Sequence, residues 1–375
     1  MEITSSIASR VVDSFKARYD SEPRLFRSPG RINLIGEHTD YNGGFVLPAS
    51  VDKAVYFAIS PLSDDLVQLQ AVDLNDTYDF RLGDLSRPGA EWPIYQLAVL
   101  DQLQKHGLKI GGFQASFGSD VPVGAGMSSS AALECCLLYA LNEVFGLGLS
   151  RLEIVKMAQK AENEYVGVNC GIMDQFASAF GKSESVIRLD CRSLDYEYFP
   201  FQMQEYLLIL CDTKVKHSLA DSAYNTRRRE CEQGVAVLQQ DYPEIKSMRD
   251  ATPELVETYK DRLSADVYKR CKYMTEEIRR VQEACELLLK DDLVGFGQKM
   301  YATHDGLQHE YEGSCPELDF LVAQTRHNAD VAGARMMGGG FGGCTINLVR
   351  SEAADDFEAR MKKAYREQFG IELPC

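Results

Sequence analysis

Apolar residues in the first third of the chain fall into short alternating or β-branched runs. Ala54 to Ser60, Leu66 to Val72 and Phe113 to Gly118 carry this pattern, which predicts half-buried strands. Ahead of them, Ile7 to Tyr19 has the spacing of an amphipathic helix. From about Ser130 to Phe145 the apolar period is again helical, with Gly146 placed to end the helix. Ser150 and Glu153 have capping-box spacing and predict another helix from 151 to about 165. Ser185 to Asp190 and Tyr206 to Asp212 read as strands. The stretch from about 218 to 310 is mostly helical in period. Thr252 followed by Pro253 marks one start, an N-cap with Pro at the first helical position. Gly343 leads into CTINLV, a short buried strand, and a final helix begins near Glu352.

Strands mixed with helices in the first half, and a helix-rich second half, predict an α+β fold of two domains. No Pro, Gly or Ser-rich linker separates them, so the boundary is expected as a compact hinge near 190 to 205. We place an N-terminal domain at 1–200 and a C-terminal domain at 201–375. A length of 375 residues suits that division.

Composition narrows the function classes. Apolar residues are 45% and charged residues 26%, the balance of a soluble globular protein. No run reaches the ~18 apolar residues of a membrane span, and MEITSSIASR lacks the apolar core of a signal peptide. The eleven Cys include no CxxC pair, which predicts reduced thiols in a cytoplasm. The six scattered His give no structural zinc set. A net charge of −16 argues against nucleic acid or a membrane surface as partner, since both are anionic. A small phosphorylated ligand answers to the local field and stays open.

Three glycine-bearing clusters could carry chemistry. Ser28 to Pro48, SPGRINLIGEHTDYNGGFVLP, packs Arg31, Glu37, His38, Asp40, Tyr41 and Asn42 beside four glycines. Such hydrogen-bonding groups suit a polyol, although a solvated loop with an Asn-Gly turn has the same composition. Val121 to Glu134, VPVGAGMSSSAALE, sets glycines and serines directly before a strong helix. Backbone N–H groups and a helix N-terminus together bind phosphate. It is neither a Walker A loop, lacking Gly-Lys-Ser/Thr, nor a nucleophile elbow, since Ser130 stands where glycine is needed. Met336 to Val349, MMGGGFGGCTINLV, satisfies G-x-G-x-x-G through Gly338, Gly340 and Gly343. A strand follows the glycines instead of a helix, which argues against a dinucleotide site. Two smaller features are GIMDQ, with Asp174 among apolar residues, and HSLADSAYNTRRRE, which holds Tyr224 and a run of arginines.

Together and in this order, these segments closely resemble the family of galactokinase, homoserine kinase, mevalonate kinase and phosphomevalonate kinase. GRINLIGEHTDYN looks like the signature of its galactokinase branch, VGAGMSSSAA like its ATP-phosphate loop and GGGFGGCT like its third motif. CGIMDQ, DCRSL, SAYNTRRRECE and SCPELD also look like segments of that branch, and the resemblance runs from about Arg24 to Leu348. It implies the family's two-domain small-molecule kinase fold with the active site in the interdomain cleft. The implied activity is ATP- and Mg²⁺-dependent phosphorylation of galactose at its anomeric hydroxyl, by a cytoplasmic monomer. Asp174 would be the catalytic carboxylate and Arg31 its charge partner. Glu37, His38, Thr39, Asp40 and Tyr224 would hold the sugar. Gly124, Ala125, Gly126, Met127, Ser128, Ser129 and Ser130 would wrap the ATP phosphates, Ser130 and Glu162 would hold Mg²⁺, and Trp92 would lie by the adenine.

The chain departs from the family at three points. Met127 replaces the usual Leu, Met337 a common small Thr, and the usual Asn-Tyr does not follow Trp92. Alternatives that remain open are a kinase of a related sugar (N-acetylgalactosamine, arabinose or galacturonate) and a galactose sensor without turnover. The intact Ser128–Ser129–Ser130–Ala131 run and Asp174 speak against the sensor.

Overall fold

In the computed structural model, residues 6–87, 89–122, 124, 126–203, 205–216 and 220–375 are described. In chain order the first elements are α1 (Ile7–Arg18), β1 (Arg24–Asn33), β2 (Phe45–Val46), β3 (Pro48–Pro61), β4 (Leu66–Ala71), β5 (Asp76–Arg81), α2 (Ile94–Lys105), β6 (Phe113–Ser119), α3 (Ser129–Phe145), α4 (Arg151–Lys160) and α5 (Met173–Phe180). There follow β7 (Ser185–Asp190), β8 (Tyr196–Pro200), β9 (Tyr206–Lys216), α6 (Ala220–Leu238), α7 (Pro253–Thr258), α8 (Ala265–Leu288), α9 (Leu293–His309), α10 (Pro316–Thr325), β10 (Val331–Met336), β11 (Gly342–Arg350) and α11 (Ala354–Phe369).

Two compact units divide the chain. The first holds Met1–Arg31, Ser50–Val123 and Met127–Gly181. Its sheet has the order β1-β3-β6-β4-β5, with β4 and β6 parallel. The alternation read along β3 is used on both faces. Val55, Phe57 and Ile59 point into a core shared with Ala98, Val99, Leu100 and Leu103 of α2 and Ala132–Leu141 of α3, while Ala58 packs with Val11 and Phe15 of α1. Helix α3 ends at Gly146, whose N–H returns to Asn142 C=O. The Ser150–Glu153 capping box is formed at the start of α4. Strand β1 was not expected, because Pro29-Gly30 reads as a break. It lies at the sheet edge, where proline is tolerated in a strand.

The second unit holds Ile32–Ala49, Gly124–Gly126 and Lys182–Cys375. It carries the sheet β10-β11-β9 and the small sheet β2-β7-β8. Leu321, Phe357, Met361 and Tyr365 from α10 and α11 cover Ile209, Cys211, Val331 and Val349 of the first sheet. Helices α6, α7 and α8 form a second core around Cys271, Met274 and Ile278. Thr252 caps α7 as expected, accepting the Leu255 N–H. The division differs from the expected cut at 200. It falls at 181/182, and residues 32–49 go with the second unit because Phe45 and Val46 pair with Asp190 and Leu189 of β7. Among the described residues no helix is long and apolar enough to cross a membrane.

Candidate active site

In the first unit, Asp174 occupies the first turn of α5, not a loop, where the helix N-terminus favours a carboxylate. Helix α5 is tied to β1 by Ser178, whose hydroxyl donates to Pro29 C=O at 2.6 Å. That anchor brings Asp174 to Arg31 near the end of β1. Arg31 Nε and Nη2 both donate to Asp174 Oδ1, at 2.8 and 2.7 Å. Oδ2 accepts the Ser128 hydroxyl. Ser128, the N-cap of α3, is held in the left-handed region at φ 52°, a strained setting for a non-glycine residue. One carboxylate therefore has a guanidinium on one oxygen and a hydroxyl on the other.

A second carboxylate lies nearby in the chain's chemistry. Glu162 sits on a π-helical turn, Ala161–Val166, that continues α4. It is buried, with Oε1 accepting from Ser130 Oγ at 3.0 Å and Oε2 from Gln175 Nε2 at 2.8 Å. Burial, with the Asp174 charge adding to it, pushes the Glu162 carboxyl up to about 7. Behind it, Glu134 is fully buried on α3, and neither oxygen makes a hydrogen bond. Burial, with Glu162 adding, holds its carboxyl well above the usual range.

The second unit holds Glu37, His38 and Tyr224 in one cluster. Glu37 is buried and contacted at both carboxylate oxygens. Arg335 Nη1 lies 3.1 Å from Oε1, which also accepts the Gly338 N–H at 2.7 Å, and Asn33 donates to Oε2. Arg335 is itself buried and donates to Leu34 C=O at 2.7 Å, locking the strand end to β10. His38 takes φ 66° and pairs through Nδ1 with the Tyr41 hydroxyl at 2.7 Å, and Tyr41 with Tyr311 at 2.7 Å. The Tyr224 and Tyr311 rings lie 5.1 and 4.8 Å from His38, centroid to centroid. His38 Nε2 is buried without a partner, and burial pushes the imidazole down to about 3, so the ring is neutral. Thr39 uses its hydroxyl inside the turn, donating to Gly36 C=O at 2.9 Å, while Asp40 opens the next turn half-exposed.

Of the glycine-serine loop, Ala125 lies outside the described residues. Gly124 and Gly126 belong to the second unit, where Gly126 packs so tightly that a Cβ there would lie 3.1 Å from Met337 C=O. Met127 is buried and its C=O accepts the Arg31 N–H at 3.2 Å. Ser129 begins α3. Trp92, half-buried before α2, donates to Asp76 Oδ2 at 2.9 Å and packs on Phe117. Sequence reading missed Asn33, Glu134, Gln175, Tyr311 and Arg335. Glu134 and Arg335 each stand as a lone charge in an apolar run, a signal that would have flagged them.

The chain is similar to known proteins. Family models described as GHMP kinases N terminal domain, GHMP kinases C terminal and galactokinase galactose-binding signature match residues 94–182, 270–367 and 13–61. A crystal structure of mevalonate kinase, 19% identical, covers 91% of this chain and 96% of its own with a TM-score of 0.64, which shows the shared fold. Fold and matches thus define a small-molecule kinase of the GHMP class. Galactokinase of Thermotoga maritima is 40% identical over 348 residues, 92% of this chain and 95% of that one. Galactokinase of Clostridium acetobutylicum is 38% identical over 99% of this chain and 96% of its own. Lactococcus lactis galactokinase complexed with galactose superimposes with a TM-score of 0.94 at 33% identity, covering 98% of this chain and 97% of that one. The chain belongs to the galactokinases of the GHMP kinase family.

Proposed function

We infer that the chain transfers the γ-phosphoryl group of ATP to the anomeric hydroxyl of α-D-galactose, giving galactose 1-phosphate and ADP. The observation that carries the mechanism is the Arg31–Asp174–Ser128 set. Phosphoryl transfer asks mainly for positioning and charge stabilisation. With Arg31 on Oδ1, Asp174 Oδ2 is the oxygen that accepts the proton of the sugar's C1 hydroxyl or orients it. The freed C1 oxygen attacks the γ-phosphorus, and the bond to the β-phosphate oxygen breaks as ADP leaves. The Arg31 guanidinium, 5% exposed, stabilises charge at the transferring group. Glu37, His38, Asp40 and Tyr224 hold the sugar, and the 124–130 loop holds the phosphates. Thr39 supports that turn through its backbone contacts.

Ser130 and Glu162 suit Mg²⁺. The set is one carboxylate and one hydroxyl, all hard oxygen, and among the described residues no cation pairs with Glu162. Mg²⁺ commonly takes one or two carboxylates and completes its octahedron with phosphate oxygens and water. When bound it neutralises phosphate charge. The dispersed free thiols suit a reducing cytoplasm.

The test is ADP release measured across galactose, glucose, N-acetylgalactosamine, arabinose and galacturonate, with Mg²⁺ varied. Galactose should be preferred over glucose by a factor of at least ~10², because a misplaced hydroxyl leaves buried polar groups unpaired. Comparable efficiency on another sugar would reassign the pocket. Galactose and ATP binding without ADP release would make the protein a sensor.

A further inference from the structure

The loop that delivers Glu37 and His38 is gripped from behind by a helix distant in sequence. Tyr273 and Glu277 lie four residues apart on α8 and so share one face. Glu277 Oε1 accepts the Gly36 N–H at 2.8 Å. The Tyr273 hydroxyl donates to the Glu37 C=O at 3.3 Å. The two side chains thus hold the Ile35–Gly36 and Glu37–His38 peptide groups, and both are fully buried. Gly36 itself admits no side chain: its φ is +101° and a Cβ would lie 2.8 Å from the Phe45 C=O.

Helix α9 backs this grip. Thr303 Oγ1 lies 3.1 and 2.9 Å from the two Glu277 oxygens, and Arg280 pairs with Oε2 from one turn further along α8. Gly306, three residues after Thr303, leaves the notch that the Tyr273 ring fills, since a Cβ there would lie 2.5 Å from the ring. The Tyr273 ring also stacks near Tyr311 at 4.8 Å, and Tyr311 in turn touches His38 at 4.8 Å. None of these α8 or α9 residues belongs to the glycine-bearing motifs.

We propose that Tyr273 and Glu277, backed by Thr303 and Gly306, are positioning residues for sugar recognition that fix the Ile35–Gly36 and Glu37–His38 peptides and so aim Glu37 and His38 at the sugar. This rests on the reading of Glu37 and His38 as sugar contacts. The clamp acts on the sugar loop and leaves nucleotide binding alone, which separates it from a general role in stability.

The experiment compares Tyr273→Phe, Thr303→Val and Glu277→Gln with the unmutated protein, alongside Glu37→Ala as the control for the sugar site. KM for galactose, KM for ATP and kcat are measured on folded preparations. Amide exchange of the 34–41 segment is followed in parallel. Tyr273→Phe keeps the ring in the Gly306 notch and loses one hydrogen bond, so KM for galactose should rise about three- to tenfold. KM for ATP should stay within about twofold, and exchange across 34–41 should quicken. Glu277→Gln loses a charge-assisted bond and should show the same split more strongly. If Glu277→Gln does not fold, the other two variants carry the test. A galactose KM that is unchanged in Tyr273→Phe and Thr303→Val, while Glu37→Ala loses the sugar, overturns the clamp alone. Galactose KM unchanged in Glu37→Ala overturns the sugar reading and the clamp with it. Equal rises in both KM values would make the pair merely structural.

Discussion

Asp174 shows what sequence can give at the scale of one residue. Its type and neighbours marked it as a candidate carboxylate, and the structure sets Arg31 on one of its oxygens and Ser128 on the other. Asp174→Asn keeps the shape and removes most of the basicity, so turnover should fall on the order of 10²–10⁴. Galactose and ATP should still bind to the same preparation, measured by calorimetry, because the proposed sugar contacts at Glu37, His38 and Asp40 and the proposed phosphate loop remain. Near-normal turnover would take Asp174 out of the mechanism. Arg31→Ala should slow turnover by a different route, through lost charge stabilisation at the phosphoryl group. The residues that support these groups were less legible. Arg335 holds Glu37 across some three hundred positions, and Gln175 donates to Glu162 only once α5 is folded against α4. Such pairings depend on tertiary placement, and no local pattern encodes them.

At the scale of elements, legibility follows how local the cause is. The cap at Ser150, the stop at Gly146 and the start at Thr252 were all readable, because each acts within one helical turn. Strand β1 and helix α5 were not, since an edge position licensed Pro29 and a tertiary anchor through Ser178 fixed the short helix. The 181/182 division was hidden for a similar reason: two residues of β2 carry a whole segment across to another sheet. The cap yields a prediction. Ser150 Oγ accepts the Glu153 N–H at 3.3 Å, while Glu153 accepts the Ser150 N–H at 2.8 Å. Ser150→Ala should cost about 1 kcal/mol of stability in urea unfolding. Kinetic constants should stay unchanged, since the cap lies a full helix before the turn that presents Glu162.

Stability of the whole molecule against pH combines buried groups that pull in opposite directions. Glu162 ionises near 7 in the folded protein and near 4.5 when exposed, so the native state keeps a proton that the unfolded chain releases. Its contribution is present below about 4.5 and is lost as pH rises through about 7. Glu134, whose carboxyl is also raised by burial, acts in the same sense. His38 behaves oppositely. Its folded value of about 3 lies below the ordinary 6.5, so its contribution is present above 6.5 and is lost as pH falls toward 3. The ligand-free protein should therefore be most stable at mildly acidic pH. Glu162→Gln should raise the melting temperature at pH 8 and change little at pH 4.5, whereas His38→Gln should flatten only the acid side. Scanning calorimetry from pH 4.5 to 8.5 reads both. With Mg²⁺ held by Glu162 as proposed, the ion needs that carboxylate ionised, so Mg²⁺ with ATP should stabilise the folded state more at pH 8 than at pH 6, where the proton competes. Glu162→Gln should abolish that difference. A stabilisation by Mg²⁺ and ATP that is equal at both pH values would remove Glu162 from the metal site and leave it as a buried carboxylic acid of the α4 turn.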